Sequence, residues 1–476
     1  MGSDMKKTKI VATISDLNCS EGFIRDLFTA GMNVVRLNSA HQSIEGSLRI
    51  VESVRAVSDR IAIMMDTKGP EIRTAPLSKP VPVEKGQVIS LWGMGEGKAP
   101  SDGIPVSHQG FARDVPLGST VLIDDGDIGL VAEEVKGDSL LCRVMNSGVI
   151  GGKKSVNIPN VFIDLPAVSD QDRKYIDFCI ENGLDFIAHS FVRDSRDVRA
   201  VQSILDRRGS PIKIIAKIEN QSGVDSIDDI LDLAYGVMVA RGDLAIEIPF
   251  EKVPGVQKML VNKCIERRKP VIIATQMLHS MIGSPRPTRA EVNDVASAIY
   301  NQTDAVMLSG ETAVGSYPVE SVKAMAAIAL EVEKGKEPLN NIPIVVINNE
   351  TSAYLIKSAV KGAVRLNAAA IIADTTSGRT VRSLSAYRGN RPVLAMCYSD
   401  DTYRHLALSY GVHARRMCPG AVTHQFIGDA LTLLTREGTL GEEDRVVVVG
   451  GNFGRSRGVS FVEIGLVSDL IEASGK

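Results

Sequence analysis

Polar and charged side chains recur in this chain of 476 residues directly after short apolar runs. In four places they form pairs with one residue between the members, and side chains two apart on a strand point to the same face. These pairs are Arg36 with Asn38, Lys217 with Glu219, Arg241 with Asp243, and Ser309 with Glu311. Three further runs end at Asp66-Thr67, at Ser190 and at Thr275. A single pair is commonly a salt-bridged strand end, whereas seven reactive strand ends together indicate one shared site.

The residue types at these strand ends favour metal-assisted phosphoryl transfer. Glu219 and Asp243, without histidine or cysteine close by in the sequence, suit a hard cation with oxygen ligands, Mg²⁺ or Mn²⁺. Gly242 offers a backbone N–H group to an anionic carboxylate or phosphate. The accompanying cations are Arg36, Arg73, Lys217 and Arg241. This is more positive charge than two carboxylates need, and phosphoryl transfer requires it on the transferring oxygens. The sequence has no GxxxxGK[ST] motif, which excludes a P-loop enzyme.

Eight strand–helix units would hold these residues. Apolar runs, typical of parallel strands buried on both faces, alternate with helical patterns such as 21–30 and 170–181. The runs are 9–14, 33–38, 61–67, 186–191, 212–218, 237–241, 271–275 and 305–309. This order predicts an α/β fold built on a (β/α)₈ TIM barrel, in which reactive residues gather at the C-terminal ends of the strands.

Two further domains interrupt and follow the barrel pattern. Residues 74–157 carry prolines and Gly- and Val-rich runs without helix signals. They predict an inserted β-rich domain over the active-site face, where it can act as a lid. Residues 339–476 alternate helices with strand-like runs at 369–373, 393–397 and 446–450, and they predict a C-terminal α/β sheet domain. The barrel then takes residues 1–73 and 158–338.

Composition excludes several classes of partner. The formal net charge is −3, so neither a nucleic acid nor an anionic membrane surface is expected. No apolar run reaches the roughly 18 residues that cross a bilayer. Six scattered cysteines without CxxC spacing indicate reduced thiols in a cytoplasmic protein. Residues 1–4 resemble an expression remnant ahead of Met5.

Seven sequence blocks, in this order and spacing, resemble the pyruvate kinase family over nearly the whole chain. The blocks are residues 33–38, 66–73, 217–220, 240–244, 274–278, 285–291 and 307–313. The resemblance implies transfer of the phosphoryl group of phosphoenolpyruvate to ADP, which yields pyruvate and ATP in glycolysis. It further implies Mg²⁺ (or Mn²⁺) and K⁺ as cofactors and a homotetramer as the assembly.

The resemblance also implies roles at the barrel strand ends. Lys217 would stabilise charge on the transferring phosphoryl group and on the enolate oxygen. Glu219 and Asp243 would hold the divalent metal that bridges substrate oxygens. The substrate-binding residues would be Arg36, Lys217, Gly242, Asp243 and Thr275. A proton relay to the enolate would use Thr275, Ser309 and Glu311.

Contacts to the nucleotide are implied for Arg73, His41 and Lys154, with Lys154 arriving from the lid. For His41 a surface loop residue is an alternative interpretation. The block 285–291 also has a structural interpretation, because Thr288 and Glu291 form an S/T-x-x-E capping box.

The potassium site is where the sequence departs from the family. Its ligands would come from Asn38, Asp66 and Thr67. The family adds a serine in the following loop, where this chain has Ala40, so one ligand is missing or is replaced by Ser39 or water. Glu71 is the residue type associated with potassium dependence. We therefore expect activation by K⁺.

The C-terminal domain carries a loop suited to phosphate. Thr375, Thr376, Ser377, Gly378, Arg379 and Thr380 follow a strand and open a helix. Hydroxyls, a glycine and free helix N–H groups form a phosphate cradle, although simple helix capping is the alternative. In the family this loop binds a sugar-phosphate effector. A second loop at 450–458 adds two arginines. Both loops predict allosteric activation by a sugar phosphate or a nucleotide.

Two alternatives compete with this interpretation. A metal-dependent aldolase or lyase of the phosphoenolpyruvate–pyruvate group would share the Lys/Glu/Asp strand ends, but would not need the lid or residues 66–73. A phosphometabolite sensor without catalysis should have lost Lys217, Glu219 or Asp243, and all three are present.

Overall fold

The computed structural model describes residues 5–95, 103–335, 349–418, 423–451 and 458–475, without the side chains of 423 and 424. Three predictions fall on residues outside these ranges. They are the expression remnant at 1–4, the domain boundary at 338/339 and residues 452–457 of the second phosphate loop.

The first part of the barrel has strands whose residues are almost all buried. Its elements are β1 (Lys9–Thr13), α1 (Glu21–Ala30), β2 (Val34–Asn38), α2 (Ile44–Val57) and β3 (Ala62–Asp66). Both helices begin after a serine, Ser20 or Ser43, whose side chain accepts a backbone N–H of the first turn.

The inserted domain follows β3. Its elements are β4 (Val81–Val83), β5 (Val88–Gly93), β6 (Ile104–Val106), α3 (Phe111–Asp114), β7 (Thr120–Ile123), β8 (Ile128–Lys136), β9 (Ser139–Val144), β10 (Gly148–Ile150) and β11 (Val156–Asn157). Six strands form one sheet in the order β11-β7-β8-β9-β5-β6, and β10 pairs with β4. Its apolar core also takes in Ile72, Ile158 and Ile163, which lie just outside the predicted limits of 74 and 157. Those limits remain a prediction.

The chain then completes the barrel. The elements are α4 (Asp170–Glu181), β12 (Phe186–His189), α5 (Ser195–Arg207), β13 (Lys213–Ile218), α6 (Gln221–Asp225), α7 (Ile227–Leu233), β14 (Gly236–Ala240), α8 (Arg241–Glu247), α9 (Val253–Glu266), β15 (Val271–Ala274), α10 (Arg289–Tyr300), β16 (Ala305–Leu308), α11 (Gly310–Ala313) and α12 (Pro318–Lys334). Short 3₁₀ turns lie at Phe250–Lys252 and His279–Ile282.

Eight parallel strands close into the barrel in the order β1-β16-β15-β14-β13-β12-β3-β2. The predicted TIM barrel is thus confirmed, with every strand within two residues of its predicted ends. Buried residues such as Phe186, Met238 and Met307 fill the interior. A larger apolar layer joins the opposite strand faces to the surrounding helices. Because the strands run in parallel, their polar C-terminal ends meet at one rim, which we call the barrel mouth.

The C-terminal domain is an open sheet with helices on both faces. Its elements are α13 (Glu350–Arg365), β17 (Ala370–Thr375), α14 (Arg379–Ala386), β18 (Val393–Cys397), α15 (Asp400–His405), β19 (Val412–Arg416), α16 (Thr423–Arg436), β20 (Arg445–Gly450), β21 (Phe461–Leu466) and α17 (Val467–Ser474), with a 3₁₀ turn at Leu406–Leu408. The strand order is β19-β18-β17-β20-β21, and β21 is antiparallel to β20.

This domain packs against the N-terminal ends of the barrel strands, which we call the barrel foot. Arg388 forms two hydrogen bonds to the carboxylate of Asp304, of 2.9 and 2.6 Å, and both side chains are buried. Arg404 donates to Asp185 at 2.6 Å. Within the described part of the chain, no helix is long and apolar enough to cross a membrane.

Candidate active site

Lys217 lies at the centre of the barrel mouth, near the end of β13. Its Nζ atom is 3.0 Å from Asp66 Oδ1 and 2.9 Å from Glu219 Oε1, and it donates to Ser190 Oγ at 2.7 Å. Lys217 is 9% exposed, whereas Asp66 and Glu219 are each 1% exposed. Polar groups from the ends of the adjacent strands β3, β12 and β13 therefore converge on one ammonium group.

Arg36 joins this cluster from β2. Its Nε donates to Asp66 Oδ2 at 2.7 Å, and a terminal nitrogen lies 2.6 Å from the same oxygen. Another terminal nitrogen donates to Thr13 Oγ1 at 3.0 Å. Asp66 thus holds Lys217 with one oxygen and Arg36 with the other, which fixes the spacing of the two cations.

The charges in the cluster shift one another's ionisation. Burial would raise the pKa of Asp66, but Arg36 and Lys217 outweigh it and the pKa lies below its ordinary value. Burial opposes the charge of Lys217, yet Asp66 and Glu219 raise its pKa above the ordinary value. Burial raises the pKa of Glu219, and the nearby Asp243 adds to this effect against the attraction of Lys217. Lys217 therefore stays a cation, and Glu219 is the carboxylate that most needs further positive charge.

Glu219 and Asp243 approach the mouth from neighbouring strands. Glu219 follows β13, and its Oε2 accepts the N–H of Phe191 at 2.5 Å. Asp243 lies in the first turn of α8, which begins directly after β14. In the described ranges, no group of three or more acidic, histidine or cysteine side chains that could hold a metal is found. A cation at this pair would therefore need ligands from water or substrate.

Thr275 directly follows β15 and has a left-handed conformation with φ of 66°, and Gln276 follows with φ of 54°. This conformation is unfavourable for a β-branched residue, so neighbouring groups must hold it. Arg241 does so by donating to the carbonyl oxygen of Thr275 at 2.9 Å while it binds both oxygens of Asp294 at 2.7 and 2.8 Å. The sequence interpretation that placed Arg241 among the charges facing a phosphoryl group is corrected here. Its guanidinium positions Thr275 instead.

The Gly242 amide is also engaged differently from the prediction. Its N–H donates to Thr275 Oγ1 at 2.9 Å, and the threonine hydroxyl lies 2.7 Å from the carbonyl oxygen of Ala274. The predicted free N–H for an anionic substrate is therefore occupied by a side chain in this structure. The contact brings the Thr275 hydroxyl to the first turn of α8, next to Asp243 in the chain.

The hydrogen bonds of Glu311 go to backbone groups that follow two barrel strands, and not to Thr275. Its carboxylate is buried and accepts the backbone N–H of Leu278 at 3.1 Å and that of Ser309 at 2.8 Å. These bonds connect the loop after β15 with the loop after β16. The structure thus gives Glu311 a positioning contact, and its predicted place in a proton relay remains a prediction.

The predicted potassium ligands lie on adjacent strands. Asn38 pairs in register with Asp66 at the ends of β2 and β3. The hydroxyl of Thr67 accepts the N–H of Ser190 at 3.2 Å. Ser39 is buried, and its hydroxyl has no hydrogen-bond partner among the described residues. An oxygen of this kind fits a ligand position, since buried polar atoms are normally satisfied.

The predicted nucleotide contacts are only partly brought together. Arg73 lines the cleft between lid and barrel together with Asp243, and it donates to Glu71 at 2.6 Å and to the carbonyl oxygen of Lys153 at 2.8 Å. Lys154 instead pairs with Asp124 inside the lid at 2.7 Å. His41 is exposed in the loop after β2.

The predicted effector loop joins β17 to α14. Gly378 has φ of 77°, and its N–H donates to Thr375 Oγ1 at 2.9 Å. Thr402 donates to the carbonyl oxygen of Thr376 at 2.8 Å, which fixes the loop from α15. Ser377 is exposed, as is Arg379 at the first position of the helix. Gly378, the N-cap of α14, has no side chain to cap the helix, while Thr375 accepts the N–H of Gly378 itself. The phosphate cradle and the capping interpretation of this loop both remain predictions.

Two side chains of the cluster received no role from the sequence. Ser190 was noted only as a strand end, yet its hydroxyl lies 2.6 Å from the carbonyl oxygen of Thr67 and accepts from Lys217. Thr13 was treated as part of an apolar run. Because Thr13 is a polar residue at the end of the first barrel strand, its position could have indicated a role at the barrel mouth.

Comparisons with known proteins agree along the whole chain. The family model for the pyruvate kinase barrel domain matches residues 5–322, and that for the pyruvate kinase alpha/beta domain matches residues 354–464. The chain is 44% identical to the pyruvate kinase of Borreliella burgdorferi, over 98% of each chain. It is 39% identical to that of Clostridium acetobutylicum, over 94% of this chain and 96% of the relative. The crystal structure of a pyruvate kinase from Cryptosporidium parvum superimposes with a TM-score of 0.91 at 35% identity, over 97% of this chain and 96% of that chain.

Proposed function

Since the chain belongs to the pyruvate kinase family and is a phosphotransferase, we propose that it converts phosphoenolpyruvate and ADP to pyruvate and ATP with Mg²⁺ and K⁺ as cofactors. The observation that carries this proposal is the convergence at one barrel mouth of Lys217 and Arg36 with the carboxylates of Glu219 and Asp243. Phosphoryl transfer is mainly positioning and charge compensation, and this cluster provides both.

Transfer and protonation would follow one another in the same mouth. An oxygen of the terminal phosphate of ADP attacks phosphorus, and the bond from phosphorus to the enolate oxygen breaks. Lys217 and Arg36 offset the negative charge on the transferring group. The enolate carbon then takes a proton, for which the hydroxyl of Thr275 is the donor we assign. The lid excludes water, which would otherwise hydrolyse the donor.

Glu219 and Asp243 are the residues we assign to Mg²⁺. Two carboxylates leave several positions for water and substrate oxygens, and Mg²⁺ usually keeps both. The raised pKa of Glu219, caused first by burial, supports the assignment because a cation there would keep this carboxylate ionised. When bound, the ion supplies Lewis-acid stabilisation of the substrate oxygens.

For K⁺ we assign Asn38, Asp66 and Thr67, with Ser39 in place of the family's next serine. The buried, unpartnered hydroxyl of Ser39 supports this choice over water. Equal rates in K⁺ and in K⁺-free buffer would exclude potassium activation. A Ser39→Ala variant that keeps its K⁺ response would leave water as the ligand.

We further propose activation by a sugar phosphate or nucleotide at the loop from Thr375 to Thr380, a cytoplasmic location and a homotetrameric assembly. The uncapped start of α14 supports an anion at this loop. Saturation curves for phosphoenolpyruvate that do not move with a panel of sugar phosphates and AMP would exclude this regulation. Sedimentation of the full chain tests the tetramer.

A lactate-dehydrogenase-coupled assay tests the reaction itself. We expect rapid formation of pyruvate from phosphoenolpyruvate and ADP that depends on Mg²⁺ and rises with K⁺. Absence of turnover under all of these conditions, with sugar phosphates added, would overturn the proposed function. Omission of ADP is the control, because a lyase would still consume the substrate.

A further inference from the structure

A second polar cleft lies at the barrel foot, between the barrel and the C-terminal domain. It is lined by the end of α7 and the segment that leads to β14, by the residues directly after α9, and by the first half of α14. Five of its nine lining residues are basic and one is acidic. The basic residues are Arg267, Arg268, Lys269, Arg379 and Arg382, and the acidic residue is Asp232. We call this feature the interdomain cleft.

Contacts from both domains hold these cations in place. Arg268 of the barrel donates to Ser383 Oγ of α14 at 3.1 Å. Arg382 of α14 lies 4.8 Å from the ring centre of Tyr235 in the barrel, and it donates to the tyrosine hydroxyl at 3.3 Å. Lys269 donates to a backbone carbonyl oxygen at 2.7 Å. A ligand would therefore meet donors that are already positioned, which lowers the entropic cost of binding.

The positive charge in the cleft is poorly compensated. Burial lowers the pKa of Lys269 to about 8, and repulsion from Arg382 adds to the shift. Burial likewise lowers the pKa of Arg268, and Arg379 contributes in the same direction. Arg267 at the rim pairs with Asp232 and Asp228, whose side chains are 65% and 53% exposed, so these carboxylates neutralise little of the charge in the interior. An anion would remove this repulsion.

The inner end of the cleft adds an independent observation. Arg268, Lys269 and Arg382 also border a small adjoining cavity, which reaches Ser409 and the Arg388–Asp304 pair. The Nε of Arg388 and the Oγ of Ser409 are buried and have no hydrogen-bond partner among the described residues. Buried donors are normally satisfied, so these two atoms mark a place for an acceptor.

We propose that the interdomain cleft binds a small organic phosphate, held by cations from both domains at once. The site adjoins the predicted effector loop and shares Arg379 with it, but Thr375, Thr376, Ser377 and Gly378 of that loop do not line it. It also lies at the opposite end of the barrel from Lys217. A ligand that bridges the two domains would couple their relative position to the concentration of a phosphorylated metabolite.

Titration calorimetry with inorganic pyrophosphate tests the proposal, on the full chain in metal-free buffer at constant ionic strength. We expect binding to the unmodified chain and at least tenfold weaker binding to an Arg268→Gln/Arg382→Gln variant. The matched control is Arg208→Gln, which removes one positive charge at an exposed surface pair with Asp177. Far-UV circular dichroism checks that each variant is folded.

A second variant, expected to strengthen pyrophosphate binding, tests the proposal even if the double variant does not fold. Asp232→Asn removes the exposed carboxylate of the cleft, and we expect about twofold tighter binding of pyrophosphate. Thr376→Ala in the effector loop should leave binding unchanged. Binding that survives Arg268→Gln/Arg382→Gln, that is lost in Thr376→Ala or in Lys217→Met, or that does not occur at all would overturn the proposal.

Discussion

The mouth and the foot of the barrel both bury a carboxylate against a cation, but they satisfy it differently. At the foot, Asp304 accepts two hydrogen bonds from Arg388 and one each from the N–H groups of Val271 and Tyr410. At the mouth, Glu219 accepts from one N–H and shares Lys217 with Asp66, while Asp243 adds a further negative charge nearby.

This difference separates a structural ion pair from a reactive one. The Asp304 pair is closed, because every strong acceptor position is filled and neither partner reaches solvent. The Lys217 cluster is open, because its charges are only partly balanced within the protein and await further ions and substrate. The number of hydrogen bonds that the carboxylate accepts distinguishes the two sites more clearly than burial does, since both carboxylates are buried.

Asp304→Asn breaks the closed pair and should have the largest effect. It leaves the Arg388 guanidinium buried without its counter-charge, which costs about 3–5 kcal/mol. We expect a large fall in the urea midpoint with little change in the turnover of the molecules that remain folded. Asp177→Asn, at an exposed pair, should change the free energy of unfolding by less than about 0.5 kcal/mol. Equal midpoints for the two variants would contradict the comparison.

Lys217→Met disrupts the open cluster and should have the opposite result, a large loss of turnover with a smaller loss of stability. We expect kcat to fall on the order of 10³-fold or more, about 4 kcal/mol in barrier height. Stability should change less than in Asp304→Asn, because Asp66 keeps Arg36 and Glu219 can take up a proton. The coupled assay measures kcat, and Mn²⁺ titration checks that metal binding is retained. Near-normal turnover would refute the role of Lys217.

Lowering the pH should reduce the free energy of unfolding, because His405 is buried near the barrel foot. Burial lowers its pKa to about 3, and Lys213 adds to the shift. The unfolded value is about 6.5. Because the folded pKa is the lower one, the stabilisation is complete above pH 6.5 and is lost as the pH falls towards 3. Between pH 7 and pH 5 this amounts to about 2 kcal/mol. His405→Asn should remove about 2 kcal/mol from the pH dependence of the free energy of unfolding, measured by urea titration at pH 7 and pH 5. An unchanged pH dependence in this variant would contradict the role of His405.

Thr288→Ala should have the smallest effect on stability and turnover. It would act on the barrel mouth only indirectly, through α10. Thr288 caps α10 by accepting the N–H of Glu291, and α10 carries Asp294, which holds Arg241 against Thr275. Loss of the cap costs about 1 kcal/mol. We expect a slight fall in the thermal midpoint and at most a several-fold fall in kcat. Thr288→Ser should restore both, and failure to do so would exclude the cap as the cause.

The barrel and the residues of its mouth were predictable because both follow from periodicity. Parallel strands buried on two faces need continuous apolar runs, and their polar ends must meet at one rim. The capping box of Thr288 was predictable for the same local reason and is confirmed. Strand ends were placed within two residues, whereas β19 and β21 at the edges of the C-terminal sheet were missed because half-exposed strands lack such runs.

The direction of individual side chains was not predictable from the sequence. Arg241 turns to Asp294, which lies 53 residues further along the chain, and Lys154 turns to Asp124 within the lid. The Gly242 amide is taken by Thr275, 33 residues away. Each choice depends on a partner that is close only in the folded chain, so neither residue type nor spacing reveals it.

The inserted domain has a consequence for how the barrel can assemble. β3 pairs directly with β12, so strands separated by about 120 residues must meet before the barrel closes. The entropy of closing a loop grows only with the logarithm of its length, so replacing a connection of about 20 residues by this one costs about 1.6 kcal/mol. The barrel can therefore carry a whole domain between two of its strands for little more than the free energy of one hydrogen bond. A domain of another size at this point would change that cost by only tenths of a kcal/mol.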